Sequence, residues 1–313
     1  MIEGLSITKP YRIEIKEFAL EEPEDNEVQI KTAFVGICGS DIAYFKGEEK
    51  YLGDDMFGHE GIGEVVKVGK NVKKFRVGDK VSSSWHPAFR EYYNAPEDTC
   101  LKIPELSPKY ILQCVSCPMN ALLQVRQILK VQKKKEVSTL LIGSGFTAYT
   151  FAQILPPKSF DVYGKYNKSY FSKLANSIFS DKESLTRESY DVIINCDITL
   201  EPYEIVEKCL KVEGIFVHFA TSREPFTTQF EDWNWRNFTV LFPSPRAKVY
   251  QKAVKKTLDL IKKGTLRTDI LYSKEYPFEK AQEAFMDFVT ERKEGEFKYY
   301  LKFQTYEDIS CRW

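Results

Sequence analysis

The stretch that most constrains the fold is "LLIGSGFTA", which runs from Leu140 to Ala148. It follows an apolar strand pattern and opens a helical pattern, with glycines at the first and third positions of the turn. The first glycine permits a tight turn, the second lets a ligand approach the backbone, and a small residue three positions later allows close helix–strand packing. A helix that begins here points free N–H groups at a bound phosphate. The motif predicts a dinucleotide site formed by Gly143, Ser144, Gly145, Phe146, Thr147 and Ala148.

Short apolar strands alternate with helical patterns through the middle of the chain. The strand patterns are "STLLIG", "FDVYG", "YDVIINC" and "GIFVHFA", and helices are predicted to begin at Pro118, Phe146, Lys168 and Pro202. Such alternation is typical of a buried parallel sheet whose faces are covered by helices. The N-terminal part is instead rich in strand patterns. The C-terminal part contains two amphipathic helices, the first with Ser244 as N-cap and Pro245 in its first turn, and a closing strand "FKYYLKF".

The length of 313 residues exceeds the usual size of one hydrophobic core, so two domains are expected. We predict an α/β protein in which residues 1–116 and 244–313 form a β-rich domain and residues 117–243 form a doubly wound parallel-sheet domain. Basic and acidic residues balance at 45 each, so no net field favours nucleic acid or an anionic membrane as a partner. The chain lacks an apolar run of transmembrane length, and its charged N-terminus is unlike a signal peptide, which predicts a cytoplasmic protein.

The end of the second parallel strand bears on which dinucleotide is bound. An acidic residue about 20 residues after the glycine motif would bind a ribose 2′-hydroxyl, but Gly164 and Lys165 stand there. A carboxylate would repel a 2′-phosphate, whereas glycine leaves room and lysine supplies a positive charge. The sequence therefore favours NADP(H), with Gly164 and Lys165 in its binding site. The alternative is that Lys165 is an ordinary exposed turn residue.

Cysteine usage indicates a metal site rather than a disulfide framework. The chain has 7 cysteines, which is an odd number in a long chain with no secretion signal. "GICGSD" contains Cys38, and "GHEG" contains His59. Thiolate and imidazole are zinc ligands, and a catalytic zinc takes three protein ligands and keeps one position open. Cys38 and His59 are therefore predicted to bind one catalytic Zn²⁺.

The third zinc ligand is sought in "CVSCP". Cys117 is the first choice, Cys114 is the competitor, and a site that uses neither remains open. A closed four-cysteine site would need a second C-x-x-C pair, which the sequence lacks. Asp41 and Glu60 are predicted to lie behind the ligands, where one of them orients His59 through its other ring nitrogen. Ser40 is a candidate for passing a proton to a nascent alkoxide.

Five stretches resemble the zinc-dependent medium-chain dehydrogenase/reductase family, which includes the alcohol dehydrogenases. They are "GICGSD", "GHEGIGEVVKVGKNVKKFRVGDKV", "FREYYNAPE", "CPMNALLQV" and "LLIGSGFTA", in family order over nearly the whole chain. The resemblance implies a GroES-like catalytic domain, a Rossmann domain, and a homodimer formed through the edge of the Rossmann sheet. The Cys₂His ligand set is that of alcohol dehydrogenase itself. By position, the resemblance implies Cys38, His59 and Cys117 as ligands, Ser40 as proton relay and Glu60 behind the metal.

Two departures from the family pattern change these expectations. A lobe with four closely spaced cysteines, which usually holds a structural zinc in the family, should follow "GDKV", but "SSSWHPAFREYY" runs straight on. One zinc ion is therefore expected. The histidine that often follows "SD" in the family is replaced by Ala43 and Tyr44, so proton transfer is expected to take another route or to use water.

Within the family, "DVYGKYNKSYFSKL" and "HEGIGEVV" are similar to NADPH-dependent ribulose-5-phosphate reductases. Those enzymes commonly have a carboxylate at the third-ligand position, where this chain has Cys117. A phosphorylated substrate would need cations near the pocket mouth, and His86, Arg90 and Lys46 are the candidates. Trp85 stands where the family lines its substrate pocket, and an indole there would narrow it.

These features predict hydride transfer between NADPH and the carbonyl of a small molecule, namely a sugar, polyol or sugar phosphate. Zinc and nicotinamide are expected to meet in a cleft at the carboxyl ends of the parallel strands. One alternative is the same chemistry on a small unphosphorylated alcohol or aldehyde. A second alternative is a catalytically silent nucleotide-binding protein on the same fold.

Overall fold

The computed structural model describes residues 1–48, 57–220, 225, 227–228, 230–290 and 293–304. The chain divides into two units. Unit 1 comprises Met1–Cys114 and Leu258–Trp313, and unit 2 comprises Val115–Thr257. The second boundary between the units differs from the predicted boundary. The chain returns to unit 1 at residue 258, whereas the sequence analysis places this return at residue 244.

Strands and helices alternate along the described chain. The strands are β1 (Ile2–Lys9), β2 (Arg12–Phe18), β3 (Glu27–Gly36), β4 (Gly61–Val68), β5 (Lys80–Ser83), β6 (Tyr92–Pro96), β7 (Cys100–Lys102), β8 (Thr139–Ile142), β9 (Phe160–Tyr163), β10 (Ile178–Phe179), β11 (Tyr190–Asn195), β12 (Leu210–His218), β13 (Thr239–Leu241), β14 (Tyr272–Pro277) and β15 (Lys298–Lys302). The helices are α1 (Gly39–Lys46), α2 (Leu112–Val131), α3 (Phe146–Ile154), α4 (Lys168–Phe171), α5 (Glu201–Cys209), α6 (Phe230–Trp235), α7 (Tyr250–Lys262), α8 (Thr268–Leu271) and α9 (Ala281–Thr290). None of these helices combines the length and the apolar character that crossing a bilayer demands.

Unit 1 is built mainly from antiparallel strands, as the N-terminal strand patterns predict. β1 pairs with β2, and a larger sheet has the order β14-β15-β3-β4-β5-β7, with β6 also paired to β3. Its core contains the fully buried aromatic rings of Phe45, Phe57, Phe89 and Phe285, whose neighbouring centroids lie 4.8–5.8 Å apart. Aromatic packing of this kind is worth more than its buried area alone. The cluster anchors α1 and the segment before β4, both of which carry candidate ligands.

Unit 2 is a six-stranded parallel sheet in the order β10-β9-β8-β11-β12-β13. The predicted doubly wound arrangement is confirmed, since the chain moves outward from β8 to β10 and then outward again from β11 to β13. The two central strands, β8 and β11, are buried along their whole length, which explains the apolar runs at residues 140–142 and 192–194 within them. The order reverses next to β8, and ligands of such sheets bind outside the carboxyl ends of the strands at that point.

Two predicted helix starts are wrong. Helix α2 begins at Leu112, and Pro118 lies inside it rather than at its first position. The apolar residues Leu112 and Val115 are buried in its first turn, which extends the helix towards the N-terminus. Helix α7 begins at Tyr250, not after Ser244, because the Ser244 Oγ accepts the Arg246 N–H at 3.1 Å in a turn that precedes the helix.

An ion-pair cluster at the start of β11 gives the fold a pH-dependent component. Asp191 accepts hydrogen bonds from Lys134 Nζ at 2.8 Å, Lys211 Nζ at 3.0 Å and Ser138 Oγ at 2.7 Å. Burial opposes the charge of Asp191, but these bonds hold its pKa below the ordinary value. Stabilisation by Asp191 is therefore present above the unfolded-state pKa of about 4 and is lost as the pH falls through the lowered folded-state pKa.

We expect Asp191→Asn to lower the free energy of unfolding by about 1–3 kcal/mol near neutral pH, because charged hydrogen bonds are replaced by weaker ones. The difference from wild type should shrink as the pH falls below about 4. Urea unfolding followed by circular dichroism measures both effects. Asp259→Asn, an exposed position on α7, is the matched control and should change stability by less than about 0.5 kcal/mol. A difference that does not vary with pH would contradict the assignment.

Candidate functional site

The predicted metal ligands of unit 1 lie at one end of its large sheet. β3 runs antiparallel to both β4 and β15, so its carboxyl end meets the amino ends of these two strands. Cys38 follows β3, His59 and Glu60 directly precede β4, and Lys298 begins β15. Strand pairing therefore brings together four side chains from distant parts of the sequence.

Three of these side chains form a group that fits a metal ion. The ligand atoms of Cys38, His59 and Glu60 all lie within 4.8 Å of one another. Thiolate, imidazole and carboxylate are the three donor types that bind Zn²⁺ in proteins. Gly58 places His59, because its backbone has a φ of +81° and an added Cβ would lie 2.5 Å from a ring carbon of Phe89. Only glycine fits this approach to the site without strain.

The surroundings of Cys38 favour its thiolate form. It is the N-cap of α1, and its backbone N–H donates to Asp41 Oδ2 at 2.8 Å. A hydrogen bond with the Cys114 thiol lowers the pKa of Cys38 well below the ordinary value, although burial opposes this, and Lys298 and His59 lower it further. The same bond, together with burial, raises the pKa of Cys114. These surroundings favour the thiolate form of Cys38, with the Cys114 thiol as its hydrogen-bond donor.

The third ligand from the C-x-x-C pair remains a prediction. Cys114 and Cys117 both lie in α2, three residues apart and one turn from each other. Cys114 is next to Cys38, but neither cysteine of the pair belongs to the 4.8 Å group found among the described residues. The sequence could not distinguish the two because it placed the start of this helix after both cysteines.

Asp41 lies where a group that orients His59 would be expected. Its Oδ1 is buried, has no hydrogen-bond partner among the described residues, and lies 3.7 Å from Nδ1 of His59. Burial disfavours the charged imidazole, yet Asp41 and then Cys38 raise the pKa of His59 to about 10. Burial raises the pKa of Asp41 to about 6, with His59 opposing. A carboxylate facing one ring nitrogen leaves the other nitrogen for a metal.

Glu60 is held by a lysine that the sequence did not indicate. Lys298 Nζ donates to Glu60 Oε1 at 2.7 Å, and the two side chains are 4% and 0% exposed. Burial raises the pKa of Glu60 to about 7, with Lys298 opposing. Burial would lower the pKa of Lys298, but electrostatic interactions with Cys114, Glu60 and Cys38 raise it. The lysine was missed because "FKYYLKF" shows no sign that its first charged residue points into a core.

The glycine turn of unit 2 has the shape that a dinucleotide needs. Gly143 has a φ of +106°, and α3 begins at Phe146 as predicted, with Gly145 as its N-cap. A Cβ added to Gly145 would meet no atom of the described chain within 4 Å, so packing does not require this glycine. The open space lies at the N-terminus of α3, where free N–H groups favour a phosphate. Ala148 is fully buried, which agrees with the small residue needed for packing.

Two predicted cofactor residues also have structural roles. Ser144 accepts the Tyr166 N–H through Oγ at 3.2 Å and the Asn167 side-chain amide through its carbonyl at 2.9 Å. A Cβ on Gly164 would lie 2.7 Å from Ser144 Cβ. Packing therefore requires the glycine at position 164, so Gly164 does not by itself indicate a 2′-phosphate. Lys165 is the residue that favours a 2′-phosphate. Thr147, like Ser40 in unit 1, is half-buried, and both remain predictions.

An acidic residue that the sequence reasoning missed lies beside Lys165. Lys165 follows the end of β9, and its Nζ lies 3.6 Å from Oε2 of Glu201, the first residue of α5. Burial and then a hydrogen bond with Glu201 raise the pKa of Tyr163. Glu201 could have been found, since it follows β11 and the carboxyl ends of all strands in one parallel sheet lie at the same edge. Its charge partly offsets that of Lys165.

The three cations considered for a substrate phosphate occupy different surroundings. The ring of His86 lies 6.0 Å from that of His59, and Trp85, which is 39% exposed, lies beside His86. Arg90 instead stacks over Phe18 with 4.0 Å between its guanidinium carbon and the ring centroid. Lys46 pairs with Glu48 at 3.3 Å. His86 is thus the candidate that lies next to a predicted metal ligand.

Residues 24–105 match the model of the alcohol dehydrogenase GroES-like domain, and residues 162–296 match that of the zinc-binding dehydrogenases. The chain belongs to the medium-chain alcohol dehydrogenase family. The predicted combination of a GroES-like domain and a Rossmann domain is confirmed.

Individual relatives agree with this assignment. The chain is 50% identical over 68 residues to D-arabitol-phosphate dehydrogenase of Enterococcus avium, a match that covers 21% of this chain and 19% of that protein. The matched stretches span only 19–46% of the lengths of four such relatives. Among solved structures, an Escherichia coli oxidoreductase of unknown specificity superposes with a TM-score of 0.80 at 20% identity, covering 97% of this chain and all of the other. TarJ of S. aureus in complex with NADPH gives 0.78 at 20% identity, with the same coverage. At such identities these structures show the fold.

We expect Cys38 to be the most reactive thiol of the chelator-treated protein, because the thiolate is the nucleophile. Brief treatment with iodoacetamide should label Cys38 before Cys100 and Cys196, whose pKa values burial raises. Peptide mass spectrometry measures the order, and Cys38→Ser should remove the fast phase. Equal rates at the three positions would show that Cys38 is not held as a thiolate.

Proposed function

We propose that this protein is a zinc-dependent NADP(H) oxidoreductase that interconverts a carbonyl and an alcohol on a polyol or sugar-phosphate substrate. The observation that carries the proposal is the group formed by Cys38, His59 and the buried Glu60 in a GroES-like unit of the alcohol dehydrogenase family. The thiolate, imidazole and carboxylate of this group are zinc-binding donor types. Asp41 lies beside His59 and Lys298 beside Glu60, as outer partners do in metal sites.

The zinc ion would be held by Cys38, His59 and one thiolate of the C-x-x-C pair. Cys117 is the ligand that the family resemblance implies, and Cys114 is favoured by its contact with Cys38. A single ion is proposed, since the part of the sequence after "GDKV" has no four-cysteine lobe. Glu60 lies near these ligands but is not proposed as one of them, because Lys298 donates a hydrogen bond to its Oε1.

The residues of each unit have separate proposed roles. When bound, zinc would polarise the carbonyl oxygen as a Lewis acid, and the nicotinamide would supply the hydride. Asp41 faces His59 Nδ1 and would orient the imidazole, so that the other ring nitrogen would be available to hold the metal. Ser40, in the first turn of α1, would pass a proton to the product oxygen. Gly143, Gly145 and the first turn of α3 would hold the pyrophosphate.

A phosphorylated or polyhydroxylated substrate is supported by the match to D-arabitol-phosphate dehydrogenase and by the position of His86 beside His59. Imidazole can donate a hydrogen bond to a phosphate or hydroxyl oxygen. A small unphosphorylated alcohol or aldehyde is the alternative, favoured by the bulk of Trp85 next to His86.

The preference for NADP(H) over NAD(H) rests on Lys165. A 2′-phosphate would gain a charged partner there, whereas Glu201 would repel it and suit a ribose hydroxyl instead. We favour NADP(H) because Lys165 is more exposed than Glu201, at 59% against 31%, and can turn towards solvent-borne phosphate.

A homodimer through the edge of the Rossmann sheet is also proposed. β13 is the edge strand of the described six-stranded sheet, and large apolar side chains near it are exposed: Phe230 by 70%, Trp235 by 78% and Phe242 by 65%. An exposed edge strand flanked by apolar side chains is a natural pairing surface. Sedimentation equilibrium would measure this association.

We expect about one zinc ion per chain by elemental analysis, and NADPH oxidation with a carbonyl substrate. Cys38→Ser should lose both the metal and the activity, since it removes a thiolate ligand. Cys100→Ser is the matched control and should lose neither, because that thiol is buried and bonds Pro96 O at 3.6 Å within β7 and its turn. Comparing Cys114→Ser with Cys117→Ser identifies the third ligand.

The substrate panel should contain ribulose 5-phosphate, unphosphorylated ketoses and simple aldehydes. Turnover of the phosphorylated ketose supports the proposal, and turnover of simple aldehydes alone would favour the alternative substrate. A fully active, metal-free preparation would contradict the zinc mechanism. Tight NADPH binding with no turnover and no metal would indicate a silent nucleotide-binding protein.

We expect Lys165→Ala to weaken NADPH binding by about tenfold or more, which corresponds to about 1.4 kcal/mol, and to leave NADH binding nearly unchanged. Glu201→Gln should strengthen NADPH binding, because it removes a neighbouring negative charge. Nucleotide fluorescence titration measures both constants. Lys168→Ala, at another exposed lysine of the same segment, is the control. Equal losses for NADPH and NADH would remove the basis for the cofactor preference.

A further inference from the structure

The amine of Lys298 is buried beside the candidate metal ligands of unit 1. Its side chain is 4% exposed, and that of its partner Glu60 is 0% exposed. Two ions buried to this degree are tolerated only when they are closely paired. Glu60 also lies within the 4.8 Å group with Cys38 and His59. One carboxylate therefore lies between two cationic partners, the Lys298 amine and the metal that the proposed function requires.

The two oxygens of Glu60 have different surroundings. Oε1 accepts the hydrogen bond from Lys298, while Oε2 is buried and has no hydrogen-bond partner in the described parts of the chain. A Cβ added to Gly36 would lie 2.3 Å from Oε2 and 3.3 Å from Lys298 Cε. The carboxylate thus lies against the backbone at the end of β3 on one side and against Lys298 on another, which restricts its rotation.

The charge of Lys298 also balances a cluster of acids. Cys38 as a thiolate, Asp41 and Glu60 are potential anions, and Lys298 is the buried lysine among them. Without this amine, Glu60 would be a buried carboxylate whose remaining cationic partner is the metal. An unpaired buried carboxylate is strongly unfavourable, so it would move towards that metal.

We propose that Lys298 is a positioning residue that holds the Glu60 carboxylate beside the metal and prevents it from becoming a metal ligand. The hydrogen bond at Oε1 competes with coordination, because both partners attract the same carboxylate. The coordination position that catalysis needs stays available to substrate while Lys298 holds Glu60. This role rests on the proposed function, since it presumes a metal at Cys38 and His59.

Lys298→Met tests the role, because it keeps an unbranched side chain and removes the charge. Purified protein is stripped with a chelator and titrated with Co²⁺, a spectroscopic substitute for zinc. The variant is expected to bind Co²⁺ about tenfold more tightly, because the released Glu60 carboxylate adds a ligand; tenfold corresponds to about 1.4 kcal/mol. Its visible ligand-field bands should weaken as a further oxygen ligand raises the coordination number, and kcat should fall. Lys298→Arg, which keeps the charge, is expected to restore the wild-type spectrum.

Two controls separate this role from a structural one. Lys274→Met removes a lysine of unit 1 that pairs with Asp287 at 3.0 Å, and it should leave Co²⁺ affinity and spectrum unchanged. The double variant Glu60→Gln/Lys298→Met removes both charges of the pair and should lose the gain in affinity. If Lys298→Met does not fold, Glu60→Gln alone decides, because in the wild-type background it should leave the Co²⁺ spectrum unchanged.

Unchanged or weaker Co²⁺ binding by Lys298→Met would overturn the role of Lys298. A changed spectrum for Glu60→Gln alone would also overturn it, since Glu60 would then be a ligand despite Lys298. Wild-type protein that binds no Co²⁺ would overturn the proposed function as well, so the two failures give different results.

Discussion

The arrangement of unit 1 depends on the pairing of charges that are buried where β3, β4 and β15 meet. Asp41 faces His59, and Glu60 accepts a hydrogen bond from Lys298. Removing one member of such a pair leaves an uncompensated buried charge, which is far less favourable than burying both together. The antiparallel register brings these partners to one place, and the glycine at the end of β3 leaves the space that the Glu60 carboxylate occupies.

In unit 2, a glycine leaves space that no described atom occupies. The glycine turn of this unit opens onto a region where an added Cβ at Gly145 meets no described atom, whereas Gly164 is small because Ser144 packs against it. Two glycines of one predicted site thus have different physical causes, and only the first points to a ligand. The charge of Lys165 also depends on a neighbour, because Glu201 lies beside it. A bound phosphate would be attracted by Lys165 and repelled by Glu201, so the net effect is the difference between the two interactions.

Local patterns predicted much of the fold because they depend on neighbours in sequence. The start of α3 at Phe146 follows from the turn chemistry of the preceding glycines, and the central strands of unit 2 follow from short apolar runs. The predictions failed where tertiary packing outweighed local signals. The sequence predicts a helix start at Pro118, but α2 begins six residues earlier, where Leu112 and Val115 are buried. Ser244 has the chemistry of an N-cap but serves a turn that precedes α7.

The sequence by itself determined the family, the doubly wound sheet and the residue types of both sites, because glycine turns, apolar periodicity and the spacing of Cys38 and His59 are local features. Only the tertiary structure decided the partners of those residues. Lys298 is 238 positions from Glu60, so no local pattern could reveal that pair. Glu201 could be placed at the same sheet edge as Lys165, but its contact with Lys165 is visible only in the structure. Strand pairing and burial brought them together, and a buried charge selects its partner by distance in space rather than by distance in sequence.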